Sequence, residues 1–194
     1  VGFGNEQDLQ AVKRLRELIG AKALMLDANQ SWETETAVDQ IAIFSAYAPY
    51  WIEEPIAADA GDKAWAMLAQ KGPSPLAAGE NLRGVDRFED ILNAGVRYVQ
   101  PDPIKWGGLS ALIEIADMTQ RESCDFAPHY LGGGVGLLAT CHAALAFGAS
   151  WMEMDVTENP FRDDLVRGVN LVTDGHLHLA NEPGIHLPAL QQLI

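Results

Sequence analysis

Short apolar runs that end in a polar or acidic turn repeat along this chain. The first run covers residues 24–26 and ends at Asp27, and a polar turn follows it. Five more runs of the same kind end at Glu53 or Glu54, Glu80, Asp102, His129 and Glu153. Counted from Asp27 through Glu53, successive end points lie 22 to 27 residues apart. One strand, one loop and one helix have about this length, so the spacing predicts alternating strands and helices.

Apolar residues recur every three or four positions between these runs, which is typical of amphipathic helices. The segments 6–19, 62–70 and 85–93 show this spacing. We expect Asn5 to cap the first helix and Ser31 to cap the second. Both side chains can accept a hydrogen bond from the N–H groups of a first helical turn.

The alternation predicts an α/β fold with a parallel sheet. A parallel strand returns to the same sheet edge only through a crossover of about a dozen residues or more. We therefore predict that residues 1–158 form part of a catalytic β/α barrel with about six barrel strands. Residues 159–194 are interpreted as a C-terminal loop and hairpin segment, because Asp174 and Gly175 separate two short β-type runs.

Composition narrows the classes of function. The net charge is −14, and nucleic acids and anionic membranes both require a basic surface, so neither is an expected partner. The apolar content of 48% is enough for one sizeable core. Cys124 and Cys141 do not suggest a disulfide framework, and we expect two buried thiols in a reducing, cytoplasmic setting.

Three acidic strand ends suggest a metal site. Neighbouring residues of a strand point to opposite faces, so only one of Glu53 and Glu54 can point into the barrel mouth. Together with Asp27 and Glu80 it would complete a set of carboxylates with no cysteine or histidine. Such an all-oxygen set suits a hard divalent ion, Mg²⁺ first and Mn²⁺ as the alternative.

The next strand ends suggest acid-base chemistry. Asp102 and His129 end consecutive strands, so they are neighbours around the rim and can form an acid-imidazole pair. A carboxylate bound to the imidazole fixes its tautomer and raises its basicity. Glu153 completes the rim, and Asp155 shares its face, so the pattern alone does not separate the two.

Six motifs carry a resemblance to a known family. They are Leu-Asp-Ala-Asn-Gln-Ser-Trp (26–32), Trp-Ile-Glu-Glu-Pro (51–55), Gly-Glu-Asn (79–81), Gln-Pro-Asp-Pro-Ile-Lys-Trp-Gly-Gly (100–108), Ala-Pro-His (127–129) and Trp-Met-Glu (151–153). In this order and spacing they resemble the enolase superfamily, in particular the mandelate racemase and muconate lactonizing enzyme subgroup. The resemblance covers nearly the whole chain.

The resemblance implies a modified (β/α)7β barrel, of which this chain would be an N-terminally truncated portion. It further implies that residues 159–194 pack toward a capping domain. The implied metal ligands are Asp27, Glu53 and Glu80. The implied base is His129, oriented by Asp102, with Glu153 as a partner of the substrate carboxylate. Asn29 and Lys105 match positions that line or support such sites.

The resemblance also implies an activity: removal of the proton α to a carboxylate through an enediolate. We expect an acid-sugar dehydratase that binds a small-molecule carboxylate, and a homo-oligomer in the intact protein. One alternative is a racemase or epimerase of a 2-hydroxy acid such as mandelate, and another is a non-catalytic fragment. A metal-dependent hydrolase is disfavoured because the His176 and His178 pair lies in the late hairpin, away from the rim.

Overall fold

The structure alternates helices with short strands. The computed structural model describes residues 1–167, 171–181 and 184–185. The helices are α1 (Asn5–Ile19), α2 (Thr34–Ser45), α3 (Asp62–Lys71), α4 (Val85–Asn93), α5 (Gly108–Arg121), α6 (Gly134–Ala146) and α7 (Pro160–Asp163). The strands are β1 (Met25–Asp27), β2 (Trp51–Glu53), β3 (Leu76–Ala78), β4 (Tyr98–Val99), β5 (Asp125–Phe126), β6 (Val172–Thr173) and β7 (His176–Leu177). Within the described ranges, no helix is both long and apolar enough to cross a membrane.

The first five strands form one parallel sheet in chain order. Asp27 at the end of β1 is in register with Glu53 at the end of β2, and Glu53 is in register with Ala77 of β3. A helix joins each strand to the next, so every strand runs in the same direction. All five carboxyl ends therefore lie along one edge, and the predicted α/β class is confirmed.

The sixth predicted barrel strand is present as a paired segment without regular strand geometry. The Glu153 N–H donates to the Pro128 carbonyl at 3.1 Å, and the Asp155 N–H donates to the Tyr130 carbonyl at 3.3 Å. Residue numbers rise together in both pairs, so this segment runs parallel to the chain that follows β5. Five regular strands and one irregular segment thus account for the six predicted strands.

The inner face of the sheet has an apolar layer with a polar layer next to it. The apolar layer contains Met25, Trp51, Ala77, Tyr98 and Ala127. Two residues further along a chain, a side chain points to the same side of the sheet. The positions reached in this way include Asp27, Glu53, Gln100 and His129. The alternation of side chains along the strands therefore places an apolar packing layer on the inner face and polar side chains next to it at the carboxyl edge.

The C-terminal segment contains the predicted hairpin. Strands β6 and β7 are antiparallel, and the turn residues Asp174 and Gly175 have φ values of 51° and 77°. Leu171 beside the hairpin is packed with Leu137 and Leu138 of α6. Positions 168–170, 182–183 and 186–194 of the predicted segment lie outside the described residues. The boundary after residue 158 and the packing toward a capping domain stay predictions.

Both predicted helix caps were wrong. The Asn5 side chain makes no capping hydrogen bond, because Asn5 is already the first residue of α1. The Asp8 carboxylate instead reaches back and accepts the N–H groups of residues 2–4 at 2.6 to 3.2 Å. Helix α2 begins at Thr34, so Ser31 lies in the preceding loop, where its N–H binds the Ala28 carbonyl at 3.0 Å.

A close approach between strand ends yields a stability prediction. Gly79 has a φ of 147°, and a Cβ added there would lie 2.7 to 2.8 Å from backbone atoms of Gln100. Because backbone cannot move aside as a side chain can, Gly79→Ala should destabilise the protein by at least about 2 kcal/mol. Urea unfolding of the intact protein measures this change. The control Gly61→Ala has no atom within 4 Å of its new Cβ, and a similar loss there would contradict the explanation.

Candidate active site

The predicted site residues lie at the carboxyl edge of the parallel sheet, and they differ in exposure. The buried members are Glu53, Glu80, Asp102 and His129. The more accessible members are Asp27, Asn29, Lys105 and Glu153. Buried ionisable groups are costly unless they are paired or hydrogen-bonded, so the contacts of the buried members define the site.

The acids of β1 and β2 are held by their own chain neighbours. The Asp27 carboxylate accepts the Asn29 backbone N–H at 2.7 Å and the Asn29 side-chain amide at 2.5 Å. Glu53 Oε2 accepts the indole N–H of Trp51 at 3.1 Å. Both partners are two residues away, which is the spacing of side chains that share one face of a strand.

The Glu80 carboxylate is the centre of the cluster. Its Oε2 lies 2.5 Å from Lys105 Nζ and 3.0 Å from His129 Nε2, and its Oε1 accepts the Asn81 side-chain amide at 3.1 Å. Burial acts to raise the pKa of Glu80, but the hydrogen bonds from His129 and Lys105 outweigh it and lower the pKa to about 2. Glu80 is therefore ionised, and two cationic side chains balance its charge.

Burial opposes ionisation of the other two acids of the set. Burial, followed by repulsion from Glu153, raises the pKa of Glu53 to about 8. Burial likewise raises the pKa of Asp27, and the backbone bond from Asn29 opposes this effect. Burial and mutual repulsion disfavour ionised carboxylates, whereas a bound cation favours them. A cation at this cluster would therefore be stabilised by the acids.

The donor set suits a divalent cation, although it is not arranged as a finished metal site. Among the residues that the structure describes, no group of three or more histidine, cysteine, aspartate or glutamate side chains is positioned to hold a metal ion. However, repulsion from Glu80 raises the pKa of Asp27, and repulsion from Asp27 raises the pKa of Glu53, so the three carboxylates lie within electrostatic range of one another. Their oxygens are the ligands that Mg²⁺ prefers. Binding would require Glu80 to exchange its contacts with Lys105 and His129.

The structure distinguishes the adjacent acids Glu53 and Glu54. Glu53 faces the inner side of the sheet, whereas the Glu54 carboxylate binds the Asn81 side chain at 2.6 Å and the Asn81 backbone N–H at 3.3 Å. Burial raises the pKa of Glu54 to about 7. Asn81 also binds Glu80, so Glu54 helps to orient the central carboxylate indirectly, through Asn81. This support was not predicted from the sequence. The Gly-Glu-Asn motif includes Asn81, the residue that binds both acids.

Asp102 and His129 form the predicted acid-imidazole pair. The His129 Nδ1 atom lies 2.7 Å from Asp102 Oδ2, and both side chains are buried. Asp102 Oδ1 accepts the backbone N–H groups of Ile104 and Lys105 at 2.8 and 3.1 Å, which fixes the carboxylate. Burial acts to lower the pKa of His129, but the bonds with Asp102 and Glu80 raise it to about 10. A proton on Nδ1 is thus anchored, and Nε2 faces the acidic cluster.

The geometry separates Glu153 from Asp155, which the sequence left open. Asp155 Oδ2 binds Arg162 at 3.0 Å, and Asp155 Oδ1 accepts the Thr157 N–H at 2.8 Å, so this acid is occupied in its own loop. Glu153 instead faces the cluster, where its charge is the largest electrostatic influence on Glu53. Burial raises the pKa of Glu153 itself.

Comparisons with known proteins identify the family of this chain. The family model described as enolase C-terminal domain-like matches residues 1–187. The chain belongs to the enolase superfamily. Two characterised relatives are an arabinonate dehydratase of Saccharolobus solfataricus, 30% identical over 93% of this chain and 48% of the relative, and a D-galactarolactone cycloisomerase of Agrobacterium fabrum, 32% identical over 95% of this chain and 52% of the relative. The chain thus spans about half the length of the curated relatives it matches.

Solved structures of the superfamily show the same fold. A mandelate racemase/muconate lactonizing enzyme from Bordetella bronchiseptica superposes with a TM-score of 0.91 at 37% identity, over 100% of this chain and 55% of that one. An L-talarate dehydratase from Polaromonas, complexed with Mg and L-glucarate, gives a TM-score of 0.70 at 29% identity over 85% of this chain and 44% of that one. A Streptomyces coelicolor racemase with bound magnesium gives 0.73 at 26% identity, over 79% and 43% of the two chains. The predicted family and TIM-like fold are confirmed.

The raised pKa values predict how stability depends on pH without a divalent cation. Burial raises the pKa of Glu53 and Glu54 from 4.5 to about 8 and about 7, so the folded protein binds these protons more tightly than the unfolded chain. The resulting stabilisation is complete below about pH 4.5 and is lost as the pH rises through 7 and 8. We expect the midpoint of thermal unfolding in EDTA to fall between about pH 5 and pH 8.

A double variant tests the assignment of this effect. Glu53→Gln combined with Glu54→Gln removes both titrating groups, so its midpoint should fall less over the same pH range. His129 contributes with the same sign above about pH 6.5, since its pKa is also raised. An equal fall in the double variant and the parent protein would show that other groups cause it.

Proposed function

We propose that this chain provides the metal site and the acid-base pair of an enzyme that dehydrates an acid sugar. The single observation that carries the proposal is the buried His129 and Asp102 pair, with Nε2 directed at the strand-end carboxylates and 3.0 Å from Glu80. An imidazole held in one tautomer beside a cluster of acids suits removal of a proton next to a carboxylate. The dehydratase activities of two relatives support the same reaction class.

Asp27, Glu53 and Glu80 would hold Mg²⁺, with Mn²⁺ as the alternative. The support is their shared sheet edge, their all-oxygen chemistry and the magnesium bound in two structures of the superfamily. When bound, the ion would supply positive charge that stabilises the substrate carboxylate as it becomes an enediolate. Asn29 would keep Asp27 oriented, because it already binds that carboxylate.

His129 would act as the base that removes the α-proton. In the neutral ring, Asp102 holds the proton on Nδ1 and leaves the lone pair of Nε2 for the substrate. Nε2 would become available to the substrate once Glu80, as a metal ligand, no longer binds it. The proton of the α C–H bond then passes to Nε2. The electron pair of that bond moves toward the substrate carboxylate and forms the enediolate.

The same imidazole would complete the elimination. As the enediolate collapses, the bond between the β-carbon and its hydroxyl breaks, and the Nε2 proton joins the leaving hydroxide as water. The remaining enol becomes a 2-keto-3-deoxy acid by proton transfer. One residue thus serves as base and then as acid, so His129 returns to its neutral form and the protons balance.

Glu153 and Lys105 would assist at the substrate carboxylate. Glu153 faces the cluster, and its raised pKa makes it easier to protonate than a free glutamate, so it would donate a hydrogen bond to the developing negative charge when it carries a proton. The Lys105 ammonium lies 2.5 Å from Glu80 and would offset the negative charge of the ligand set. Neither role requires a proton to leave the residue permanently.

A racemase or epimerase of a 2-hydroxy acid is the second candidate, and a racemase in the superfamily favours it. Racemisation needs a second acid-base group on the opposite face of the substrate, whereas dehydration needs only one. We prefer dehydration because His129 alone can perform both of its proton transfers. Proton NMR in heavy water separates the candidates, since racemisation exchanges the α-proton of unreacted substrate and dehydration yields a 2-keto-3-deoxy acid.

Replacing the central carboxylate tests the metal site. Glu80→Gln removes one anionic ligand, so Mg²⁺ affinity in calorimetry on the intact protein should fall at least about 10-fold. The matched control Glu89→Gln changes an exposed acid of α4 and should leave the affinity unchanged. Equal affinity in the Glu80 variant and the parent protein would remove Glu80 from the site.

Replacing the imidazole tests the base. His129→Asn should lower turnover of acid sugars by about 10²- to 10⁴-fold, the usual contribution of a positioned acid-base group, while Mg²⁺ binding persists. Proton NMR measures both substrate loss and the keto acid. His142→Asn on α6 is the matched control and should retain activity. Near-normal turnover by the His129 variant would mean that the base lies elsewhere.

A further inference from the structure

Among the residues that the structure describes, the buried amide of Gln100 has no hydrogen-bond partner. The residue is 0% exposed, and neither its side-chain nitrogen nor its oxygen makes a hydrogen bond of ordinary geometry within the described part of the chain. An unsatisfied buried polar group costs about 1–3 kcal/mol, so such a group needs a physical explanation. A partner that is acquired only when the site is loaded would provide one.

The backbone of Gln100 is held firmly. Its N–H donates to the Ala78 carbonyl at 2.9 Å, and Gly79 packs so closely that a Cβ would collide with the Gln100 backbone. The side chain extends from this fixed point on the inner face, above Tyr98. Its position is therefore set by the sheet and does not depend on a flexible loop.

Glu53 is the acid that this amide faces. Glu53 and Gln100 each lie two residues after a member of the apolar layer, Trp51 and Tyr98, so both side chains leave the same face of the sheet, and Gly79 directly after the intervening strand has no side chain to separate them. The Gln100 amide favours the charged form of the Glu53 carboxylate, although the pair does not meet hydrogen-bond geometry. The other side of Glu53 is already held, because Trp51 donates to its Oε2. Two neutral donors therefore flank one carboxylate of the cluster, and only one of them is engaged.

We propose that Gln100 is a positioning residue for Glu53, whose amide N–H engages that carboxylate when Glu53 serves as a cation ligand. This inference rests on the proposed function, since it needs Glu53 to be a ligand. The gain is geometric: with Trp51 on one oxygen and Gln100 beside the carboxylate, few orientations of Glu53 remain. Hydrogen-bonded supporting residues of this kind commonly change metal affinity by about 10- to 100-fold.

Gln100→Met tests the proposal, because methionine has a similar length and neither a donor nor an acceptor. Removing an unsatisfied amide from a buried place should leave the thermal midpoint of the cation-free intact protein unchanged or higher. Mg²⁺ affinity, measured by calorimetry, should nevertheless fall about 10-fold. An unchanged or higher thermal midpoint together with a lower Mg²⁺ affinity indicates a positioning role. In a purely structural role, stability and affinity would fall together, and that result would overturn the proposal.

Gln40→Met is the matched control. Gln40 Oε1 is also buried without a partner among the described residues, but the residue lies on α2, away from the acidic cluster. Its Mg²⁺ affinity should equal that of the parent protein, and a similar loss there would overturn the proposal. Equal affinity in the Gln100 variant would refute the positioning role alone. A parent protein that binds no Mg²⁺ would instead refute the proposed metal site.

Discussion

The Glu80 carboxylate is the charge on which the site depends. Lys105 and His129 share its Oε2, and Asn81 holds its Oε1 while also binding Glu54. Three loops of the chain thus meet at one ionised acid. A buried anion without these partners would be costly, so the loops after β3, β4 and β5 are linked through one electrostatic requirement.

This convergence makes the base and a cation competitors for the same oxygen. His129 cannot bind Glu80 Oε2 and present a free Nε2 to a substrate at once. A divalent cation would satisfy the acids and release the imidazole, whereas Asp102 would keep the ring in place throughout. In the proposed mechanism, binding of the ion and release of the base are therefore coupled through Glu80.

Much of this arrangement could be predicted from the sequence, because strand ends repeat at a regular interval and a parallel sheet brings them to one edge. The strand ends at Asp27, Glu53 and Glu80 follow from that rule. The contact of Glu54 with Asn81 could not be predicted, since it depends on the distance between two loops and not on periodicity. The unpartnered amide of Gln100 could not be predicted either, since it depends on the packing around a buried strand end. The helix caps at Asn5 and Ser31 failed because the helix boundaries differ from the predicted ones: α1 already includes Asn5, and α2 begins only at Thr34.

The position of the acids and the imidazole pair at one sheet edge is consistent with the different activities in the names of the relatives. In the proposed mechanism, the sheet edge supplies only the removal of an α-proton and the stabilisation of the resulting charge. Whether a β-hydroxyl leaves, a proton returns on the other face or a ring opens depends on the substrate and on groups facing His129 from the opposite side. The strand-end acids and the imidazole pair are tied to the register of the sheet. Specificity can therefore change in the surrounding loops while this first step is kept.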